Sequence, residues 1–141
     1  MKITNVKMDM FYWKSEPWKV GLNFQTFGST QKLGVVTVET DEGISGNAFL
    51  GSSRMGADHF APGLIEFIKP IVMGRNPQDI GSIWWDMWKQ NRSVSTNVIG
   101  AIDICLWDIN GKIAQQPILR LLGTCRGFVP VYSSSAFHEP Q

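Results

Sequence analysis

Apolar residues recur at two spacings along this chain, and the change from one to the other divides it into a strand-forming first third and a helix-forming remainder. From Lys2 to Trp13, the residues Ile3, Val6, Met8, Met10 and Tyr12 alternate imperfectly with their neighbours, as expected of a strand that turns one face to a core. Gly34 to Thr40 is rich in β-formers, Asp41-Glu42-Gly43 supplies turn chemistry, and Ile44 to Phe49 continues as another strand, so the stretch reads as a hairpin. Between these strands, Lys14 to Leu33 combines Pro17, Gly21 and Gly28 with Trp18, Phe24 and Phe27 and follows neither period. It is expected to be a long loop, and long ordered loops in compact domains are usually functional or mobile. Leu50 to Gly56 is a second irregular segment.

Helical spacing takes over from there. Phe60, Leu64, Phe67 and Ile68 form the stripe of an amphipathic helix that is expected to stop at Pro70. Asn76-Pro77-Gln78-Asp79 predicts a helix start, with Asn76 as N-cap and Pro77 at the first helical position, followed by an apolar face of Ile80, Ile83, Trp84, Met87 and Trp88. A third helix is expected from about Thr96 to Ala114, where Val98, Ile99, Ile102, Cys105, Leu106, Ile109 and Ile113 make a broad stripe that must be covered. Pro117 restarts a short helix and Gly123 occupies a C-cap position.

Three antiparallel strands in a meander followed by a set of helices make an α+β pattern. Phe128 to Ser135 then reads as one more strand, arriving after the helices with no partner left in the sequence. That ending predicts an incomplete structure: residues 1–127 as one domain and 128–141 as the beginning of another.

Composition is that of a globular chain, 141 residues with 43% hydrophobic and 18% charged. A formal net charge of +1, with the basic residues scattered, gives no stripe for nucleic acid or for an anionic membrane surface. The amino terminus has no continuous apolar run of signal type, so a cytoplasmic location is expected. Cys105 and Cys125 form no C-x-x-C pair, and Cys105 falls within an apolar helical pattern, where a buried inert thiol is the common outcome.

The run Ala101 to Gly123 carries a small residue, Asp103, Leu106-Trp107-Asp108, Gly111-Lys112, Pro117 and Arg120-Leu121-Leu122-Gly123. This pattern resembles the helix that closes the capping domain of the mandelate racemase and muconate lactonizing enzyme family, within the enolase superfamily, and that leads directly into the first strand of a (β/α) barrel. Here that strand would be Val129 to Ser134. Gly34 to Gly46 is similar to the family's hairpin, and Gly74 to Trp88 to its Gly-x-x-Pro-x-x-Ile lead-in to a Trp-containing helix. Thr124-Cys125 departs from the family, which commonly has a second glycine at that turn.

The resemblance implies an enzyme that removes the proton α to a carboxylate with help from Mg²⁺, the metal ligands and the base standing at later barrel strand ends. Those groups lie outside this sequence, so no residue of this chain is expected to be catalytic or to bind the metal, and the chain alone is expected to be inactive. The capping loops of the family close over the barrel mouth and contact the substrate. By position these are Lys14 to Leu33 and Leu50 to Gly56, and Trp18, Asn23, Phe27, Ser52 and Arg54 are the candidate contacts, with Arg54 suited to a carboxylate or to sugar hydroxyls. His138, just after the barrel-type strand, is a further candidate. A polar lid favours an acid sugar and therefore a dehydratase, with racemase or cycloisomerase chemistry, or a non-catalytic α+β binding module, as the alternatives. A small-molecule carboxylate is the expected ligand, and the exposed apolar faces predict a homo-oligomer.

Asp103 and Asp108, five apart, point about 140° from each other on a helix and cannot share one ion; capping or interdomain hydrogen bonds suit them better. His59 reads as a first-turn surface residue, and Trp84, Trp88 and Trp107 as packing.

Overall fold

The computed structural model of the chain describes residues 1–14, 30–51 and 55–132, together with the backbone of 18–20 and 25–27. Its main sheet holds β1 (Ile3–Lys14), β4 (Thr30–Thr40) and β5 (Ser45–Leu50), all antiparallel in the order β1-β4-β5. This is the meander expected from the sequence. A separate two-stranded ribbon, β2 (Trp18–Val20) with β3 (Gln25–Phe27), lies within the segment expected to be a loop. The loop reading is therefore corrected: β1 continues to Lys14, paired with Thr30, and the chain stays paired across stretches too short and too aromatic to display a period. The imperfect alternation of β1 also has a cause. A register shift between Ile3 and Asn5 moves the buried parity from odd to even positions, so Ile3 and Val6 both face the core.

Beyond Met8 the strand leaves that core. Met10 and Tyr12, expected on the buried face, are exposed, because β5 ends at the row of Met10 and β1 and β4 project beyond it as a two-stranded arm.

Helices cover one face of the sheet. The first is continuous but unevenly wound: α1 (Ala57–Pro62), a π-wound stretch (Gly63–Ile68) and α2 (Lys69–Val72). From Phe60 onward its buried residues, Phe60, Leu64, Ile68 and Val72, are four apart. At 3.6 residues per turn such a row would drift about 40° at each step, and the wider π winding reduces that drift. The backbone N–H of Lys69 donates to the Leu64 carbonyl, five residues back, and Pro70 then falls in the first turn of α2, where a missing N–H is harmless. Hence the helix does not stop at Pro70, and Phe67, expected in the stripe, is exposed.

The next helix, α3 (Ile80–Trp88), begins later than Asn76. The Asn76 side chain accepts from the Gln78 amide at 3.2 Å and its carbonyl accepts from Asp79 at 3.0 Å, closing a single turn before the helix rather than capping it. α4 (Thr96–Ala114) matches its expected bounds, with Ser95 as N-cap accepting from Asn97 at 3.3 Å. Val98, Ile99, Ile102, Cys105, Leu106 and Ile109 are buried as the stripe requires. α5 (Ile118–Leu121) follows Pro117, and Gly123 takes the positive φ of 82° that a C′ glycine supplies.

The central contact is α4 against β5. A Cβ on Gly46 would overlap the Cys105 carbonyl, so a strand backbone lies directly on a helix backbone at this point. Both sheet edges are covered over part of their length. On β5, the Asn47 amide donates to Asp108 at 2.9 Å, and Lys112 Nζ reaches the Ser45 carbonyl at 2.6 Å. On β1, Ile3 exchanges backbone hydrogen bonds with Gly74 and Arg75, and Lys69 Nζ donates to the Val6 carbonyl at 2.8 Å.

Residues 128–132 form no strand. Phe128 and Tyr132 are 82% and 89% exposed, and Val131 is 91% exposed. The strand expected at Val129 to Ser134 is therefore not formed over its described residues, for want of any strand beside it.

Candidate capping site

One row of register partners fixes the geometry of the region. Met10, Gly34 and Leu50 sit side by side across β1, β4 and β5. At that row β5 ends, whereas β1 and β4 run on together to Lys14 and Thr30. The two segments expected to cap a site therefore leave the sheet from the same end.

They also meet at their roots. Gly34 has no side chain because Met8 Sδ and the Ala57 Cβ occupy its space, which lets the start of α1 approach β4 closely. Gly51 has a φ of 112° and packs on the Lys32 carbonyl and the Ala57 amide, so the chain leaving β5 turns sharply across the base of the arm. An ion pair between Lys32 and Asp58 joins the arm to α1. The Lys32 ammonium, through its hydrogen bond and charge, holds the Asp58 carboxyl below the usual Asp range, and Asp58 raises Lys32 in return.

Phe11, Tyr12 and Trp13 are about half exposed on the arm. Sequence periodicity could not single them out, because it treats them as the end of a core strand. Among the candidates, Trp18 and Phe27 are register partners across β2 and β3. Their side chains, together with Asn23, Ser52, Arg54 and His138, lie outside the described residues.

No three carboxylate, histidine or thiol groups gather as a metal site among the described residues. Asp108 is engaged by Lys112 at 2.8 Å and by the Asn47 amide, while Asp103 faces a groove on the other side of α4. These two do not fit a shared ion. His59 is exposed beside Phe60 in an edge-on contact. Burial pushes the Cys105 thiol up to about 12, and Cys125 is exposed. Trp84 stacks on Trp88 at 5.1 Å, as packing tryptophans do.

Residues 3–123 match the model of the mandelate racemase / muconate lactonizing enzyme, N-terminal domain. The chain belongs to this family. A D-galactonate dehydratase family member of Musicola paradisiaca is 36% identical over 109 residues, which cover 71% of this chain and 25% of that protein. A 3,6-anhydro-alpha-L-galactonate cycloisomerase of Streptomyces coelicolor is 27% identical over 138 residues, covering 93% of this chain and 37% of its own length. Among solved structures, a dipeptide epimerase from Enterococcus faecalis, complexed with Mg and a dipeptide, superposes with a TM-score of 0.71 at 26% identity over 88% of this chain and 35% of that one. The chain thus spans between a quarter and two-fifths of the length of these relatives. The capping-domain fold is that of the family, and among the described residues no helix is long and apolar enough to cross a membrane.

Proposed function

We propose that this chain is the substrate-capping part of a dehydratase acting on an acid sugar, with residues 1–127 forming the cap and 128–141 opening a (β/α) barrel that holds the catalytic groups. The reading is carried by the row Met10, Gly34 and Leu50, which makes both capping segments spring from one end of the sheet. It is supported by the likeness to the D-galactonate dehydratase family member. In this reading a base in the barrel removes the proton α to the substrate carboxylate, and the hydroxyl on the neighbouring carbon takes a proton from an acid in the barrel and leaves as water. Mg²⁺, when bound by the barrel, would stabilise the charge that develops on the carboxylate.

The chain's own residues bind, orient and exclude water. Arg54 and Asn23 would hydrogen-bond sugar hydroxyls or the carboxylate, Trp18 and Phe27 would cover the carbon skeleton, and Ser52 would add a polar contact. Tyr12 and Trp13 join them from the exposed arm. His138 would lie at the barrel mouth. We place the enzyme in the cytoplasm as a homo-oligomer. The likeness to a cycloisomerase over 93% of this chain favours that chemistry as the second reading.

The test is a screen of the complete protein against acid sugars with and without Mg²⁺, followed by Arg54→Ala. Metal-dependent loss of water, with KM raised at least several-fold in the variant, is expected. Ring opening or epimerisation without loss of water would replace the dehydratase reading, and unchanged kinetics in the variant would remove Arg54 from the site.

A further inference from the structure

A groove of about 640 Å³ runs between α3 and α4, lined among others by Trp84, Asp103, Trp107, Asn110, Ile113 and Leu121. Its chemistry is unusual in one respect. Asp103 is partly buried in this largely apolar lining, and among the described residues no cation or hydrogen-bond donor reaches its carboxylate. The other acids of these two helices are paired: Asp86 with Arg75 at 2.6 Å and Lys89 at 2.7 Å, and Asp108 with Lys112 at 2.8 Å. Burial alone raises the Asp103 carboxyl above the usual Asp range.

A carboxylate drawn partly out of water without a partner is costly, and covering the groove with apolar groups alone would increase that cost. A covering group that brings positive charge would offset that cost. It must be flat and weakly hydrated enough to enter between apolar walls that include two indoles, which describes a guanidinium better than an ammonium.

We infer that this groove seats an arginine side chain carried by the part of the same polypeptide that lies beyond these 141 residues, so that Asp103 anchors the cap to the rest of the enzyme. The inference rests on the reading of the chain as part of a longer enzyme. Two observations favour an occupant within the same protein. The relatives that this chain matches are up to about three times its length. Leu121, which lines the groove, ends α5, the last helix before the exposed run Phe128 to Tyr132.

The experiment is a crystal structure of the complete protein together with thermal unfolding of its Asp103→Asn variant. An arginine guanidinium nitrogen from beyond residue 141 within about 4 Å of the Asp103 carboxylate, the reach of an ion pair, is expected, with a lower unfolding midpoint and several-fold faster amide exchange along α3 and α4 in the variant. Asp103 facing solvent, or meeting a cation from a second copy, would overturn it. So would a variant as stable and as protected as the native protein. Should the complete protein dehydrate its substrate while Asp103 faces solvent, only this inference fails. A complete protein with no barrel would remove the preceding proposal with it.

Discussion

The backbone amide of Asn47 donates to the carboxylate of Asp108 at 2.9 Å, so an acid of α4 satisfies a donor on the free edge of β5. The same carboxylate takes Lys112 Nζ at 2.8 Å, and Lys112 donates to the Ser45 carbonyl at 2.6 Å, completing a clamp on that edge. Asp108→Ala removes the acceptor while water can still reach the amide, for an expected cost of about 1 kcal/mol. Asp108→Asn keeps an acceptor and should cost less. Denaturant unfolding of both variants checks the order.

Gly46 makes a sharper prediction. Its missing side chain leaves room for the Cys105 carbonyl, and that neighbour is helix backbone that cannot rotate away. Gly46→Ala should therefore destabilise by the upper part of the about 1–3 kcal/mol usual for overpacking. Gly81→Ala, where nothing lies within 4 Å, is the control and should be neutral or stabilising. Equal midpoints for the two variants would refute the close approach.

The two thiols should react very differently. Cys105 is buried, donates to the Val36 carbonyl at 3.6 Å and has its thiol pushed up to about 12, while Cys125 is exposed. A disulfide reagent at neutral pH is expected to modify one thiol per native chain and both after denaturation. Rapid modification of both in the native protein would contradict the packing of α4.

Acid should loosen the turn before α3. Lys89 and then Arg75 hold the Asp86 carboxyl below its ordinary value of 3.8. A lowered folded-state value means that the stabilisation is complete well above pH 3.8 and is lost as pH falls through that lowered value. The stability difference between the native chain and Asp86→Asn should be constant near neutrality and shrink in acid. Unfolding curves taken as a function of pH test this, and a difference that persists at low pH would exclude the pair as its source.

The sequence carried the sheet order and the long helix, since Val36, Val38, Ile102 and Leu106 are buried by strong, unbroken periods. Local context decided the rest. Phe67 left the core because π winding rotated it outward, and periodicity assumes 3.6 residues per turn. Met10 and Tyr12 kept the right parity but lie at and past the end of β5, a matter of relative strand length that no single segment encodes. The origin of both capping segments at one end of the sheet followed from the hairpin pattern. The roles proposed for Trp18 and Arg54 were read from position alone, and their side chains lie outside the described residues. The groove around Asp103 was invisible as a site, for it arises only when α3 is laid against α4.

Under the proposed reading, Phe128 to Tyr132 becomes a strand only beside partners in the rest of the enzyme. Hydrogen exchange compares it directly in the 141-residue chain and in the complete protein. The account predicts free exchange at residues 128–132 in the short chain and strong protection in the complete one. Equal, rapid exchange in both would contradict it.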